Sequence, residues 1–271
     1  MSAASVPASS YGILRRDVAA SAADEAAEQV RRLGYARFDP GYTAEELAAI
    51  SAAFDAARRG YVERWTEERL RPLDELNTLR ALCTHGGPLF VQLASHPMLL
   101  AVLERLIAGR FVLNQQNGII NPPAQDYNQG AWHRDLPYQH FVSSSPLAIN
   151  ALFCVDDFTS DNGATFVLPA SHQAAAFPSE GFVQSSAVQV EARAGEFILL
   201  DCMTFHAGGF NRTDRPRRAV NHVYTIPFFK QQIKLPGILD EQQLSPEQKS
   251  LFGFDYQEPA SIGAYLESRV R

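Results

Sequence analysis

The tripeptide His133-Arg134-Asp135 is the segment of this chain best suited to chemistry. In an extended segment, residues two apart face the same side, so the His133 imidazole and the Asp135 carboxylate can converge on one point. His206, far downstream in Thr204-Phe205-His206-Ala207-Gly208-Gly209, can complete a set of two imidazoles and one carboxylate. That set binds non-heme Fe(II) on one face and leaves other coordination positions open. Arg217 closes the segment Asn211-Arg212-Thr213-Asp214-Arg215-Pro216-Arg217 and would be a fixed cation for a carboxylate-bearing co-substrate. A planar, permanently charged guanidinium suits two-point carboxylate binding. Arg218 would face the opposite way on a strand, toward solvent or an acidic neighbour, and a one-residue change of register would exchange the two roles. Taken singly, a His-x-Asp triplet is a weak signal that reads more readily as surface polarity, and a lone histidine reads equally well as a satisfied core residue. The conjunction with Arg217 is what points to a site.

Ligands this far apart in sequence must be brought together by neighbouring strands. The chain supplies strand candidates at Tyr35–Phe38, Phe111–Ile120, around His133, Leu147–Val155, Thr165–Leu168, Glu196–Leu200 and Ala219–Ile226. Asp161-Asn162-Gly163 is a turn between two of them, and Asn121 to Gly130 reads as a loop from its Pro, Asn and Gly content. The first third is helical in pattern. Apolar residues recur at helical spacing from Ala22 to Leu33, with Gly34 as the stop, and Thr43 with Glu46 forms a capping-box signature. The stretch from Tyr61 to Leu82 is charged and amphipathic. Ser95-His96-Pro97 opens a further helix, and Ser245-Pro246-Glu247 another near the end. Short strands after a helical first third predict a mainly β fold, a β-sandwich or jelly roll with flanking helices. One domain spans 1–271, with a largely helical part at 1–109, a jelly-roll core at 110–229 and a C-terminal extension at 230–271.

Composition narrows the function classes. The 271 residues carry a formal net charge of −6, with 46% hydrophobic and 20% charged residues. A negative chain without a Lys/Arg stripe argues against a nucleic-acid partner. No apolar run of membrane-spanning length and no secretory leader stand out, which predicts a cytoplasmic protein with no membrane partner. Cys83, Cys154 and Cys202 are scattered and odd in number, and they read as reduced thiols. No pattern sets an oligomeric state.

Three segments together resemble the phytanoyl-CoA dioxygenase family. They are Trp132-His133-Arg134-Asp135-Leu136-Pro137-Tyr138, Asn162-Gly163-Ala164-Thr165-Phe166-Val167-Leu168-Pro169-Ala170-Ser171-His172, and His206 through Ala219. The resemblance runs from about Arg110 to Phe229. It implies a double-stranded β-helix (a cupin-like jelly roll) and dependence on Fe(II), O2 and 2-oxoglutarate as co-substrate. It assigns His133, Asp135 and His206 to the metal and Arg217 to the distal carboxylate of 2-oxoglutarate. It implies oxidation, by hydroxylation, of an unactivated C–H bond on a small-molecule substrate, with release of succinate and CO2. A carboxylate at 135 separates the chain from the halogenases of the same superfamily, which carry a small residue there.

Asn114 to Asn121 is rich in amides for a strand entering a core, and related oxygenases use this strand to contact 2-oxoglutarate. Asn117 and Asn121 share a face and are the candidates, with turn chemistry as the alternative for Asn121 before Pro122. Some relatives carry a hydroxyl two residues after the distal histidine. Here that position is Gly208, so the contact is missing or supplied by water. Trp132, Tyr138 and Gln139 are candidate substrate contacts, although Trp132 alternates with His133 and equally suits packing. His85 lies in a loop that could cover the site, His172 reads as structural, and His140 and His222 have no partner at ligand spacing. Two rivals stand beside this reading. One is a jelly-roll metalloenzyme using Zn or Mn for hydrolysis or isomerisation, which has no need of Arg217. The other is a non-catalytic metabolite-binding jelly roll.

Overall fold

The computed structural model describes residues 7, 9–136 and 141–270. They form nine strands: β1 (Tyr35–Phe38), β2 (Thr78–Leu79), β3 (Val112–Asn121), β4 (Ala148–Cys154), β5 (Thr165–Val167), β6 (Val188–Val190), β7 (Phe197–Asp201), β8 (His206–Ala207) and β9 (Arg217–Thr225). Eight α-helices accompany them: α1 (Ala22–Leu33), α2 (Ala44–Trp65), α3 (Glu67–Leu70), α4 (Leu89–Ala94), α5 (Pro97–Leu106), α6 (Glu180–Ser186), α7 (Pro246–Leu251) and α8 (Ile262–Glu267). The strands make two antiparallel sheets, a large one ordered β1-β7-β4-β9-β3-β2 and a small one ordered β6-β5-β8. This is the expected jelly roll with flanking helices, built as two unequal sheets rather than a closed barrel.

The large sheet is buried on both faces, and β9 shows why the site can sit there. Its even residues (Arg218, Val220, His222, Tyr224) face the helices. Val220 and Tyr224 join Phe54 of α2, Phe90 of α4 and Leu99 and Leu103 of α5 in the principal core. Ala219 faces the other way and joins Ile119, Val167, Ile198 and Leu200 in a second core between the sheets. Part of this inner face is covered by the small sheet, whose Val167 and Val190 belong to that second core. The period of two along β9 therefore divides structural residues from site residues.

Caps fix the outer layer. Thr43 Oγ1 accepts the Glu46 N–H at 3.2 Å, and Glu46 Oε2 accepts the Thr43 N–H at 2.8 Å, closing the capping box that starts α2. Gly34 ends α1 at φ 81°, and a Cβ there would lie 2.3 Å from Thr204 Oγ1, so only glycine serves. The Gly34 carbonyl accepts from the Asp201 N–H at 2.9 Å and from Thr204 Oγ1 at 2.9 Å, which ties the end of α1 to the loop before His206.

Some expectations are revised. The segment around His133 is not a strand but a single bridge to His206, and Asp135 sits in a bend. The charged stretch from Tyr61 to Leu82 is divided among several elements. α2 runs through Trp65, and Thr66 at φ 57° breaks the path before α3. Leu89–Leu106 is 18 residues long and apolar enough to cross a membrane by length and composition, contrary to the expectation that no such run exists. Here Pro97 splits it into α4 and α5, whose residues Phe90, Leu93, Leu99, Val102 and Leu103 are buried in the core. All three cysteines are free and buried.

His222 lies on the helix-facing side and is fully buried. Its Nδ1–H donates to the Ala151 carbonyl at 2.9 Å, and its Nε2 accepts from the Gln116 amide at 2.9 Å, so the neutral ring is fully satisfied. Burial pushes its pKa down to about 4 from 6.5. Between those values only the unfolded chain binds this proton, so the fold loses stability as pH falls from 6.5 toward 4 and gains nothing from this group above 6.5. At 1.36 kcal/mol per pH unit the loss reaches about 3 kcal/mol. Urea unfolding between pH 7 and 4.5 should show a slope steeper in the wild type than in His222→Asn by about one proton. Equal slopes would mean that His222 is protonated in the fold.

Candidate active site

His133 and His206 are held together by a reciprocal backbone pair, His133 N–H to His206 O at 2.9 Å and His206 N–H to His133 O at 3.0 Å. Their rings stand 4.3 Å apart. The Asp135 N–H donates to the Cys202 carbonyl at 3.1 Å, which turns the carboxylate back toward the rings. Asp135 Oδ1 lies 3.9 Å from His133 Nε2 and 3.7 Å from His206 Nε2. One donor atom from each residue falls within 4.8 Å of the others. Arg134, between the two, points away. It donates to the Ser171 carbonyl at 2.9 Å and lies over the Phe205 ring. The alternation foreseen for a strand therefore holds without a strand.

The tautomers suit a metal. His133 Nδ1–H donates to the Ala131 carbonyl at 2.7 Å and His206 Nδ1–H to the Thr204 carbonyl at 3.0 Å, leaving both Nε2 lone pairs free toward Asp135. Burial holds the His206 pKa below its ordinary value although Asp135 stands beside it, so the ring is neutral at pH 7. Asn150, on β4, donates its amide to Asp135 Oδ2 at 2.7 Å, which fixes the carboxylate plane and leaves Oδ1 toward the histidines. Two neutral imidazoles and an oriented carboxylate fit a divalent transition metal with open positions.

Arg217 begins β9 on the inner face, in the same cavity as His133 and His206. It is 3% exposed, its Nε has no partner, and among the described residues no carboxylate pairs with it. Its guanidinium lies over the Phe158 ring at 3.8 Å and donates from Nη2 to Tyr127 Oη at 3.3 Å. Burial pulls its pKa below the usual value, although it stays a cation. Arg218 takes the opposite face and pairs with Asp156 at 2.6 Å and Asp55 at 2.8 Å. A buried cation left unpaired is expensive, so Arg217 fits an incoming carboxylate, the chemistry of a 2-oxo dicarboxylic acid.

Asn117 and Asn121 share the inner face of β3 but do not line this cavity. Ile119 between them does. The Asn121 amide donates to the Gly209 carbonyl at 2.8 Å, bracing a turn, and Asn117 sits among Ala81, Arg80 and Gln232. The polar lining comes instead from Tyr127, Gln129, Asn150, Thr165 and Asn221. Asn150 and Asn221 were detectable as amides inside apolar strands, Asn221 at even spacing from Arg217. Tyr127 and Gln129 lie in the loop before His133, where no periodicity singles them out. Trp132 packs on Phe166 and Phe177, His85 on Tyr61, and His172 contacts the Arg31 carbonyl. Tyr138, Gln139 and His140 lie outside the described residues.

A family model for phytanoyl-CoA dioxygenase matches residues 30–219. The chain belongs to the phytanoyl-CoA dioxygenase family. As a member it is a 2-oxoglutarate-dependent dioxygenase, with iron and 2-oxoglutarate as cofactor and co-substrate. An uncharacterized protein of Mycobacterium tuberculosis is 32% identical over 215 residues, covering 78% of each chain. Dioxygenase sphC of Aspergillus fumigatus is 32% identical over 102 residues, 36% of this chain and 27% of that protein. Among solved structures, EctD from S. alaskensis with 2-oxoglutarate and 5-hydroxyectoine superposes with a TM-score of 0.64 at 21% identity, covering 77% of this chain and 76% of that one. The epimerase SnoN of nogalamycin biosynthesis superposes with a TM-score of 0.60 at 23% identity, covering 83% and 93%. The family match includes His133, Asp135, His206 and Arg217 within its bounds.

Proposed function

We propose that this dioxygenase oxidises an unactivated C–H bond of an uncharged, partly apolar small molecule, with His133, Asp135 and His206 as metal ligands and Arg217 as the anchor of 2-oxoglutarate. The observation that carries the reading is Arg217, a buried cation that no carboxylate pairs among the described residues and that opens into the same cavity as the ligand set. A hydrolytic Zn or Mn site has no use for it. Fe(II) and 2-oxoglutarate, when bound, supply an O2-driven oxidation in which the co-substrate is decarboxylated to succinate and CO2.

The protein's part is to bind, orient and keep water out. The backbone bridge between His133 and His206 presents both Nε2 atoms on one side. Asn150 holds the third ligand in plane. Arg217 orients the co-substrate from its far end, and Ile119, Leu152, Leu200 and Ala219 exclude water around it. Among the described residues, the lining beyond Arg217 and the ligand set is neutral, with Gln129, Thr165 and Asn221 among its hydrogen-bonding groups, which suits an uncharged substrate better than a polyanion.

The test needs no substrate. Metal-free protein given Fe(II) and then 2-oxoglutarate without oxygen should develop the weak visible charge-transfer band of the chelate. Iron binding with no band would move the hydrolytic reading ahead, and no iron binding would remove the ligand assignment.

A further inference from the structure

Gly208 has no backbone reason to be glycine. It is not among the residues with positive φ, and its N–H donates to the Gln129 carbonyl at 2.7 Å in an ordinary contact. What it provides is room. A Cβ at 208 would lie 1.9 Å from Tyr127 Oη and 2.7 Å from the ring carbon bearing it, so a side chain at 208 and the phenol exclude each other. The phenol occupies that space beside Arg217, and both line the cavity of the ligand set. Its oxygen accepts from Arg217 Nη2 at 3.3 Å, which leaves the phenolic hydrogen to donate elsewhere. Burial raises the Tyr127 pKa, so the group keeps that hydrogen at neutral pH. The loop is anchored around it, by Gly130 N–H to the Tyr127 carbonyl at 2.9 Å and Asn128 Nδ2 to the Asp74 carbonyl at 3.0 Å.

The geometry points to Tyr127 as a second donor to the distal carboxylate of 2-oxoglutarate, reaching it from the loop because position 208 is empty of side chain. The inference rests on the co-substrate reading above. Arg217 supplies charge and Tyr127 a neutral O–H, so two different groups converge on one carboxylate. Tyr127 is a co-substrate-binding residue, not a mere prop for Arg217.

The experiment is an anaerobic titration of the Fe(II)-loaded protein, read by calorimetry and by the visible band. Two oxoacids are compared: 2-oxoglutarate, and 2-oxopentanoate, which has the same chain length without the distal carboxylate. Tyr127→Phe should weaken 2-oxoglutarate about 10- to 100-fold, the worth of a hydrogen bond to a charged group, and leave 2-oxopentanoate and Fe(II) affinity unchanged. Gly208→Ala, which expels the phenol without removing it, should weaken 2-oxoglutarate in the same way. Tyr127→Ala/Gly208→Ser, which returns a hydroxyl from the other side, should recover affinity relative to Tyr127→Ala. Wild-type affinity for 2-oxoglutarate in Tyr127→Phe, or equal losses for both oxoacids, would overturn the assignment while leaving the co-substrate reading intact. A wild-type protein that binds no 2-oxoglutarate would overturn both.

Discussion

Arg217→Met is expected to abolish 2-oxoglutarate binding at millimolar concentration while leaving the ligand-free protein as stable as the wild type, or more so. The two halves of that result have one cause. The guanidinium is 3% exposed and stacked on Phe158, and among the described residues no carboxylate pairs with it. Removing a buried charge that no carboxylate pairs, at nearly the same volume, relieves desolvation and so offsets the lost stacking on Phe158 and the lost bond to Tyr127 Oη. With the co-substrate present the same change leaves a buried carboxylate without its cation. That costs about 3–5 kcal/mol, or about 10^2- to 10^4-fold in affinity. Differential scanning fluorimetry separates the halves. The wild type should melt higher as 2-oxoglutarate is added to Fe(II)-loaded protein, gaining about 2.7 kcal/mol at a hundredfold excess over Kd. Arg217→Met should show no such gain from an equal or higher starting Tm. A variant that melts well below the wild type and still responds to 2-oxoglutarate would mean that Arg217 is structural.

Asp135→Ala should lower kcat/KM by about 10^3-fold or more, the several kcal/mol that a metal's charge contributes. It should also remove tight Fe(II) binding. His133→Ala should do the same, and because His133 is the more exposed of the two histidines it tests the ligand set with less disturbance of the core. Asp135→Ala strands the Asn150 amide as well, so His133→Ala is the cleaner measurement. Iron stoichiometry by metal analysis after dialysis reads both variants without any substrate. Retention of one iron per chain in either would exclude that residue as a ligand.

The parts of this molecule readable in sequence are those where residue type and spacing act together. His133, Asp135, His206 and Arg217 stand out because few roles need those types in that order. The placement of Arg217 and Arg218 on opposite faces followed from the period of a strand alone, once β9 was known to begin at Arg217. Gly34 and the Thr43–Glu46 box were legible because helix ends have fixed chemical needs. Of the strands of two or three residues, only β5 (Thr165–Val167) was legible, as the candidate Thr165–Leu168. β2, β6 and β8 are too short to carry a period, and β8 exists because β5 offers it a partner at Val167. The partners of the strand amides were not legible for a related reason. Asn117 and Asn121 have the right face, but what each amide reaches is set by the Gly209 turn and the Arg80–Gln232 cluster, which come from distant parts of the chain. Tyr127 depends on a vacancy at position 208, and only the three-dimensional arrangement reveals that.

The bond from Thr204 to the end of α1 gives the site an unexpected allegiance. The Thr204 carbonyl holds the His206 tautomer, and the Thr204 hydroxyl and the Asp201 amide are both spent on Gly34. His206 is thus tied through Thr204 to the helical layer, besides the small sheet it belongs to by pairing. If α1 detaches in a partial opening, the latch goes with it, and the histidine loses its bearing before any strand separates. On this arrangement, hydrogen exchange at α1 and loss of the site should report one and the same opening event.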